Sequence, residues 1–195
     1  MSRDEQKTMT RKRILDAAGR GFRKGGFGGV GIDGLAKQAG VTSGAFYVHF
    51  SSKEAAFKES VVAGIDELHD AVVALRAAHG DQWVGRFVDF YLGPKRTCDL
   101  AESCALQSLV PEVGRASDHV KEAVQGSLDA LAHAVADGLP GGGVADRLAR
   151  AWALLSILPG GVSLARALGD QATADAVAAA VKKAALDVAL SLSKE

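Results

Sequence analysis

The sequence is poor in the residues that build disulfide-stabilised proteins and β-sheets. It has only two cysteines, Cys98 and Cys104, too few for a disulfide scaffold. Four prolines and a 6% share of aromatic residues accompany abundant alanine and leucine. No stretch alternates β-branched or aromatic residues with polar ones. With 48% hydrophobic residues in 195, the chain can bury a core. These features predict an all-α protein of about nine helices.

The sequence also lacks the signals of membrane insertion, secretion and metal binding. We find no apolar run of the ~18–20 residues that span a bilayer, and the charged start, Met1–Lys7, has no apolar signal core. We therefore expect a soluble, cytoplasmic protein without membrane contact. The five histidines lack metal-ligand spacing, and no H-E-x-x-H or C-x-x-C motif occurs. We expect no metal, no cofactor and no catalytic residues, although distant catalytic groups can converge in a fold.

The net charge of zero conceals an asymmetry along the chain. Residues 1–60 hold eleven basic and six acidic residues, a net charge of +5, and residues 61–195 hold twelve and seventeen, a net charge of −5. A basic N-terminal third suits a DNA-binding domain attached to a body that does not touch DNA. Ordinary variation of surface charge is an equally good explanation when this observation stands alone.

Residues 32–50 contain two short helical patterns separated by a glycine. The first has apolar residues on one helical face, namely Ile32, Leu35, Ala36 and Ala39. Gly40 follows, where a left-handed cap is favourable. Thr42 or Ser43 can then cap a second helix of about two turns, Gly44 to His49. This pattern is typical of the helix-turn-helix, whose second helix lies in the major groove of DNA.

A helix is also predicted before this run. We expect residues 1–9 to form a disordered polar arm and Thr10 to cap a helix that begins with Arg11-Lys12-Arg13 and ends at Gly25-Gly26. Three basic residues in a first turn oppose the helix dipole, which suggests a phosphate partner. A solvated basic helix end is an equal alternative.

A long amphipathic helix is predicted over residues 53–79. Its start fits a capping box of Ser51 with Glu54, or a cap by Ser52 alone. This helix would connect a DNA-binding domain, residues 1–52 including the arm, to a ligand-binding and dimerisation domain, residues 53–195.

Residues 11–61 combine these helices with a characteristic set of apolar, glycine and aromatic positions. The set is Ile14-Leu15-Asp16-Ala17-Ala18, Phe22, Gly25-Gly26-Phe27, Leu35-Ala36, Ala39-Gly40-Val41, Gly44-Ala45-Phe46-Tyr47, His49-Phe50 and Ser52-Lys53-Glu54. With this set, the segment resembles the DNA-binding domain of the TetR family of transcriptional regulators. One departure is Gly31, where many members have a Thr or Ser that contacts a phosphate.

The resemblance implies a homodimeric repressor that leaves double-stranded operator DNA when a small-molecule effector binds. It places Thr42, Ser43, Gly44 and Ala45 near base edges. Phosphate contacts are expected from Tyr47, His49 and Lys53, and from Arg11 and Lys12. The alternative for Tyr47 is a packed core position. Short side chains at 42–45 cannot make the Arg–guanine contact, so the operator sequence stays open.

Further helices are predicted in the body, over about 114–137, 144–168 and 172–192, with an irregular stretch at 95–104. The last two helices are apolar and alanine-rich, and the resemblance implies that they form the homodimer interface. From the residues alone, packing within one chain is the simpler explanation. Pro159 lies inside the penultimate helix and is predicted to kink it.

The body also supplies candidates for an effector pocket. They are Phe87, Phe90, Tyr91, Cys104, Gln107, His119 and Trp152. Aromatic stripes at helical spacing are more often plain core. Cys98 and Cys104 support an alternative function, a thiol-based redox or electrophile-sensing repressor, because the basic Lys95 and Arg96 precede Cys98 and favour a thiolate. The competing interpretation is that both cysteines are small buried hydrophobes.

Overall fold

The chain folds into helices joined by short turns, as its alanine- and leucine-rich composition predicts. The computed structural model describes residues 2–191. Within that range there are eleven α-helices, three of them only four residues long, two short 3₁₀ turns and no β-strand. The predicted all-α fold class is confirmed.

The helices are numbered along the chain. The N-terminal helices are α1 (Arg3–Gly29), α2 (Ile32–Gln38), α3 (Ser43–His49) and α4 (Lys53–His79). They are followed by α5 (Trp83–Leu92), α6 (Pro94–Thr97), α7 (Ala105–Ser108), α8 (Val110–Val113), α9 (Asp118–Gly138), α10 (Val144–Ala167) and α11 (Gln171–Leu190). The 3₁₀ turns are Gly80–Gln82 and Leu100–Glu102.

The prediction of a disordered arm over residues 1–9 is wrong, because α1 begins at Arg3. Ser2 accepts a hydrogen bond from the backbone N–H of Glu5, whose carboxylate accepts one from the backbone of Ser2. This capping box satisfies the first free N–H groups of the helix, so no cap by Thr10 is needed. The basic residues from Arg11 onward therefore lie inside the helix, away from the positive end of its dipole.

The predicted end of α1 at Gly25-Gly26 marks a break within the helix. Gly26 has a φ of 70°, a conformation that favours glycine, and helical turns resume as far as Gly29. At the start of α4, Ser52 is the cap, because its hydroxyl accepts a hydrogen bond from the N–H of Ala55 at 3.0 Å. The alternative with Ser52 is therefore the correct one, and the capping box of Ser51 is wrong.

The body departs from its predicted boundaries at three places. The helix expected from residue 114 begins at Asp118, and the stretch 95–104 contains most of α6 and a 3₁₀ turn. Helix α11 ends at Leu190, and residue 192, predicted to close it, lies outside the described range. Helix α10 continues through Pro159, and the kink predicted there stays a prediction.

The chain divides into two compact units. The first runs to Gly64 and resumes from Asp99 to Val124, and the second holds Ile65–Cys98 and the residues from Gln125 onward. Helix α4 thus contributes residues to both units. The predicted boundary near residue 52 assigns the chain differently, since it places the segment 99–124 in the body, and it stays a prediction.

Aromatic rings fill the core of the first unit. Phe22 packs edge-on against Phe57 with ring centroids 5.3 Å apart, and Phe27 contacts Phe57 at 5.1 Å. Such edge-to-face pairs add to the free energy of apolar burial. Gly21 lets α1 approach α2, because a Cβ there would lie 2.6 Å from a methyl group of Leu35. This close approach sets the position of the helix that precedes α3.

The second unit has its own core of helices α5, α9, α10 and α11. Trp83, Phe87 and Tyr91 of α5 are buried at helical spacing, and the indole N–H of Trp83 donates to the carbonyl oxygen of Gly138 at 3.0 Å. Helix α10 is long and apolar enough to cross a membrane by length and composition alone, contrary to our expectation of no such run. Its buried face, from Arg150 to Ala165, is that of a core helix.

Candidate nucleic-acid interface

The turn between α2 and α3 holds the two helices in a helix-turn-helix. Gly40 has a φ of 66°, as the sequence predicts, and the N–H of Val41 donates to the carbonyl oxygen of Ala36 at 2.9 Å. Thr42 then caps α3, because its hydroxyl oxygen accepts from the N–H of Ala45 at 3.1 Å. The cap fixes where the seven-residue α3 begins.

One face of α3 is buried and the other is exposed. Phe46 is completely buried and Phe50 nearly so, as their i, i+4 spacing predicts. Tyr47 is 54% exposed and Val48 is 71% exposed. The core alternative for Tyr47 is therefore wrong. Val48 is not among the predicted site residues, although the burial of Phe46 and Phe50 on the opposite face is enough to indicate its exposure.

Two of the short side chains expected near base edges form hydrogen bonds within the protein. The hydroxyl of Thr42 serves the cap, and the Ser43 hydroxyl donates to the Asp33 carboxylate at 2.5 Å. Asp33 lies on α2 and did not figure among the predicted site residues. Gly44 and Ala45 leave the first turn of α3 without bulk, so a DNA backbone or base edge can approach it closely.

His49 ends α3 in a half-buried position. Its Nδ1 atom is buried and has no hydrogen-bond partner among the described residues. Burial of the ring holds the pKa of His49 below its ordinary value of 6.5, and the positive charges of Lys7 and Arg11 lower it further. The neutral imidazole is thus favoured next to two cations.

The predicted cations differ in their freedom to reach a phosphate. Arg11 is partly exposed but already paired, since its guanidinium lies 2.5 Å from the Glu59 carboxylate and 4.7 Å above the Phe50 ring centroid. Lys12 pairs with Asp16 at 3.2 Å and stays highly exposed. Lys53 lies over the Phe27 ring, 4.6 Å from its centroid, at the start of α4. Arg11 therefore has a structural role in fixing Phe50, whatever it contacts outside the protein.

The seven pocket candidates are distributed over both compact units. Phe87, Phe90, Tyr91 and Trp152 belong to the second unit, and Cys104, Gln107 and His119 belong to the first. Phe87 and Tyr91 are buried with ring centroids 5.8 Å apart, whereas Phe90 and Trp152 are 40% and 37% exposed. His119 is exposed and lies within hydrogen-bonding distance of the Lys58 ammonium, at 2.8 Å.

A groove of about 450 Å³ does occur within the second unit. Its lining residues come from the end of α4, the following turn, the start of α5 and the end of α9, and they are Val73, Arg76, Ala77, Gly80, Asp81, Trp83 and Gly138. None of the seven candidates lines it. The absence of a side chain at Gly138 keeps it open, because a Cβ there would lie 2.7 Å from the Arg76 Nε.

The two cysteines have different surroundings. Cys98 is half-buried in the second unit, where Arg166 Nη2 lies 3.4 Å from its Sγ atom and also donates to the Cys98 carbonyl oxygen. Cys104 is buried in the first unit at the start of α7. Cys98 therefore has a cationic hydrogen-bond donor at its sulfur atom, which Arg166, far away in sequence, provides.

Comparison with known proteins places the helix-turn-helix in a family. Residues 14–59 match the sequence model of the bacterial regulatory proteins of the tetR family. Over 66 residues the chain is 41% identical to two proteins of Pseudomonas putida, the HTH-type transcriptional regulator TtgR and the probable HTH-type transcriptional regulator ArpR. That match covers 34% of this chain and only 30% of each relative.

Solved structures share the fold over nearly the whole chain. A TetR-family regulator of Cytophaga hutchinsonii has a TM-score of 0.77 at 15% identity, covering 98% of both chains. NemR of E. coli in its reduced form has a TM-score of 0.72 at 21% identity, covering 90% of this chain and 96% of that one. These structures share the all-α fold of this chain, and the match of residues 14–59 coincides with its helix-turn-helix. Residues 14–59 are thus similar to the DNA-binding segment of the tetR family, and the chain shares its fold with TetR-family regulators.

Proposed function

We propose that this protein is a homodimeric repressor that binds operator DNA through α3 and leaves it when a small-molecule effector binds the body. The observation that carries this proposal is the surface of α3, a capped helix that exposes Tyr47 and Val48 while Phe46 and Phe50 anchor it. A helix held in this way fits the major groove. The protein would act in the cytoplasm and without catalysis.

The side chains of this surface would divide the contacts between bases and phosphates. The first turn of α3, from Thr42 to Ala45, would approach base edges, and the exposed Val48 could contact a thymine methyl group. Tyr47, His49 and Lys53 would hydrogen-bond phosphates and orient the protein. Lys12 is exposed enough to add a phosphate contact, whereas Arg11 would first have to leave Glu59.

The test is binding to a palindromic fragment found by footprinting the promoter of the protein's own gene. Affinity should fall steeply with salt, because phosphate contacts release counterions. Tyr47→Ala and Lys53→Glu should weaken binding to all sequences, with a shallower salt dependence for the lysine variant. Lys121→Glu, on the exposed side of α9, is the matched control and should bind normally. Unchanged affinity in both test variants, with the fold intact, would contradict the phosphate roles.

Exposed apolar side chains on the last two helices support the homodimer. Val144 is 68% exposed and Leu164 is 56% exposed on α10, with Trp152 between them, and Leu190 is 47% exposed on α11. Each of these large apolar groups is costly to expose to water and would be stabilised by burial against a second copy. Leu164→Lys should shift the protein toward monomer in sedimentation experiments and weaken binding to a full palindrome. A monomeric wild-type protein would contradict this interface.

An effector would act by shifting the population of dimers. DNA binding needs recognition helices spaced about 34–36 Å apart, to match successive major grooves. An effector that binds better to a dimer with another spacing lowers the fraction competent for DNA. We propose the groove beside Trp83 and Gly138, within the second unit, as the site of such a ligand. Deleting the gene should raise transcription from its operator, and a fall instead would indicate an activator.

A second candidate function is electrophile or redox sensing by Cys98. The observation that favours it is the position of Arg166, whose Nη2 places a cationic hydrogen-bond donor 3.4 Å from the sulfur atom. The Cys98 sulfur would add to a ring carbon of a quinone, so that a C–S bond forms as the C=C π bond breaks. The displaced electron pair and the thiol proton pass to the quinone, which becomes a hydroquinone thioether. Treatment with a quinone should then release wild-type protein from DNA but leave Cys98→Ser bound, with Cys104→Ser as the matched control. Equal responses of wild type and Cys98→Ser would exclude this function.

A further inference from the structure

A carboxylate lies next to the first turn of the recognition helix. Asp33, on the exposed surface of α2, accepts a hydrogen bond from the Ser43 hydroxyl at 2.5 Å. This bond occupies one carboxylate oxygen of Asp33 and uses the only hydrogen that Ser43 can donate. Asp33 forms no ion pair with the other described residues, including Lys37 one turn further along α2. The pair therefore presents hydrogen-bond acceptors and no donor.

An acceptor surface of this kind does not suit a phosphate. A carboxylate repels the DNA backbone, and on a DNA-binding face it is favourable only where it meets a donor. In the major groove the donors are the N4 amino group of cytosine and the N6 amino group of adenine. Adenine presents its N7 acceptor beside its amino group. Cytosine presents no acceptor of its own there, so it is the better partner for a carboxylate.

We infer that Asp33, oriented by Ser43, accepts a hydrogen bond from the N4 amino group of a cytosine in each operator half-site. The inference rests on the proposed operator binding. At this position Asp33 rejects thymine and guanine, because their O4, or their O6 and N7 atoms, would face the carboxylate as acceptors. The short side chains at 43–45 leave room for this contact. The base preference thus comes from α2 as well as from α3.

The experiment compares the base preferences of wild type and Asp33→Asn. A random double-stranded DNA library yields the preferred palindrome of the wild-type protein, and each half-site position is then changed to all four bases. Wild type should favour cytosine at one position by roughly ten-fold over thymine and guanine. The introduced amide would keep the acceptor for Ser43 and add an NH₂ donor. Asp33→Asn should lose this preference and gain affinity for thymine or guanine there, leaving other positions unchanged.

Ser43→Ala is the matched variant, since it removes the orienting hydroxyl and keeps the carboxylate. It should retain the cytosine preference, with weaker discrimination. An unchanged base profile in Asp33→Asn, or a loss of affinity that is equal at every position, would overturn the inference. The second result would assign Asp33 a structural role, such as a favourable interaction with the dipole of α2. A wild-type protein that selects no sequence would overturn operator binding itself, which distinguishes the two failures.

Discussion

The guanidinium of Arg150 donates a hydrogen bond to the carbonyl oxygen of Ala189 at 2.9 Å, joining α10 to the last turn of α11. The same buried group pairs with Asp146 and donates to the carbonyl oxygens of Pro140 and Gly141. One side chain therefore ties the first half of α10 and the end of α11 to the loop that precedes α10. A buried charge is tolerated here because every contact is a charge-assisted hydrogen bond.

Replacing Arg150 by Met should lower the free energy of unfolding by about 3 kcal/mol, because it removes the ion-pair partner of Asp146 on α10 and the donor to three carbonyl groups. Urea unfolding at fixed protein concentration measures this. The matched control is Arg147→Met, which removes one exposed hydrogen bond to Gly142 and should cost less than about 1 kcal/mol. Equal losses in the free energy of unfolding would show that the buried contacts of Arg150 stabilise the protein no more than the exposed contact of Arg147.

Gly161 on α10 should tolerate no side chain. A Cβ there would lie 2.6 Å from both methyl groups of Val181 on α11. Gly161→Ala should therefore destabilise the protein by about 1–3 kcal/mol through overpacking. Gly160→Ala is the control, because no atom lies within 4 Å of a Cβ at that position, and it should stabilise the helix by up to about 1 kcal/mol. Adding Val181→Ala should restore part of the stability lost by Gly161→Ala.

Thr42 should stabilise the recognition helix through its cap. Thr42→Ala removes the acceptor of the Ala45 N–H and should cost about 1 kcal/mol. Thr42→Ser keeps the hydroxyl and should cost much less. Hydrogen exchange of the α3 amides reports the loss, and protection that is equal in the alanine and serine variants would argue against the cap.

His49 should make stability depend on pH in a defined direction. Because burial and the charges of Lys7 and Arg11 lower its pKa in the folded state, the unfolded chain takes up this proton at a higher pH. The contribution of the neutral ring is fully present above the unfolded pKa of about 6.5. It is lost as the pH falls from there through the folded-state pKa. His49→Gln should remove this part of the pH dependence in denaturant titrations, and an unchanged profile would contradict the assignment.

DNA binding should raise the pKa of His49, whereas folding lowers it. A phosphate beside His49 favours the imidazolium and raises its pKa in the complex. More protons are then bound with DNA than without, so affinity should increase as the pH falls between the two pKa values. Titrating DNA affinity between about pH 5 and 8, the range in which histidine changes charge, tests this, with His49→Gln as the control. If the DNA affinity of His49→Gln depends on pH as strongly as that of the wild type, other groups take up the protons.

Much of the helix-turn-helix could be predicted from local patterns. The spacing of Phe46 and Phe50, the position of Gly40 and the hydroxyl of Thr42 each act within one or two helical turns, so sequence periodicity is enough to find them. The start of α1 at Arg3 also depends on residues that are close together in the sequence. The capping box of Ser2 with Glu5 is itself a short sequence signal, and it places the basic residues after Thr10 beyond the first turn of α1.

The sequence by itself determined the helical class, the exposed face of α3 and the resemblance of the N-terminal segment to a regulator family, because these depend on periodicity and caps within short segments. Only the tertiary structure decided which polar groups are free. It pairs Arg11 with Glu59, Ser43 with Asp33, and Cys98 with Arg166, three contacts across 10 to 68 residues. It also separates the predicted pocket residues between two units. Such contacts depend on how helices pack, and no local pattern encodes that geometry.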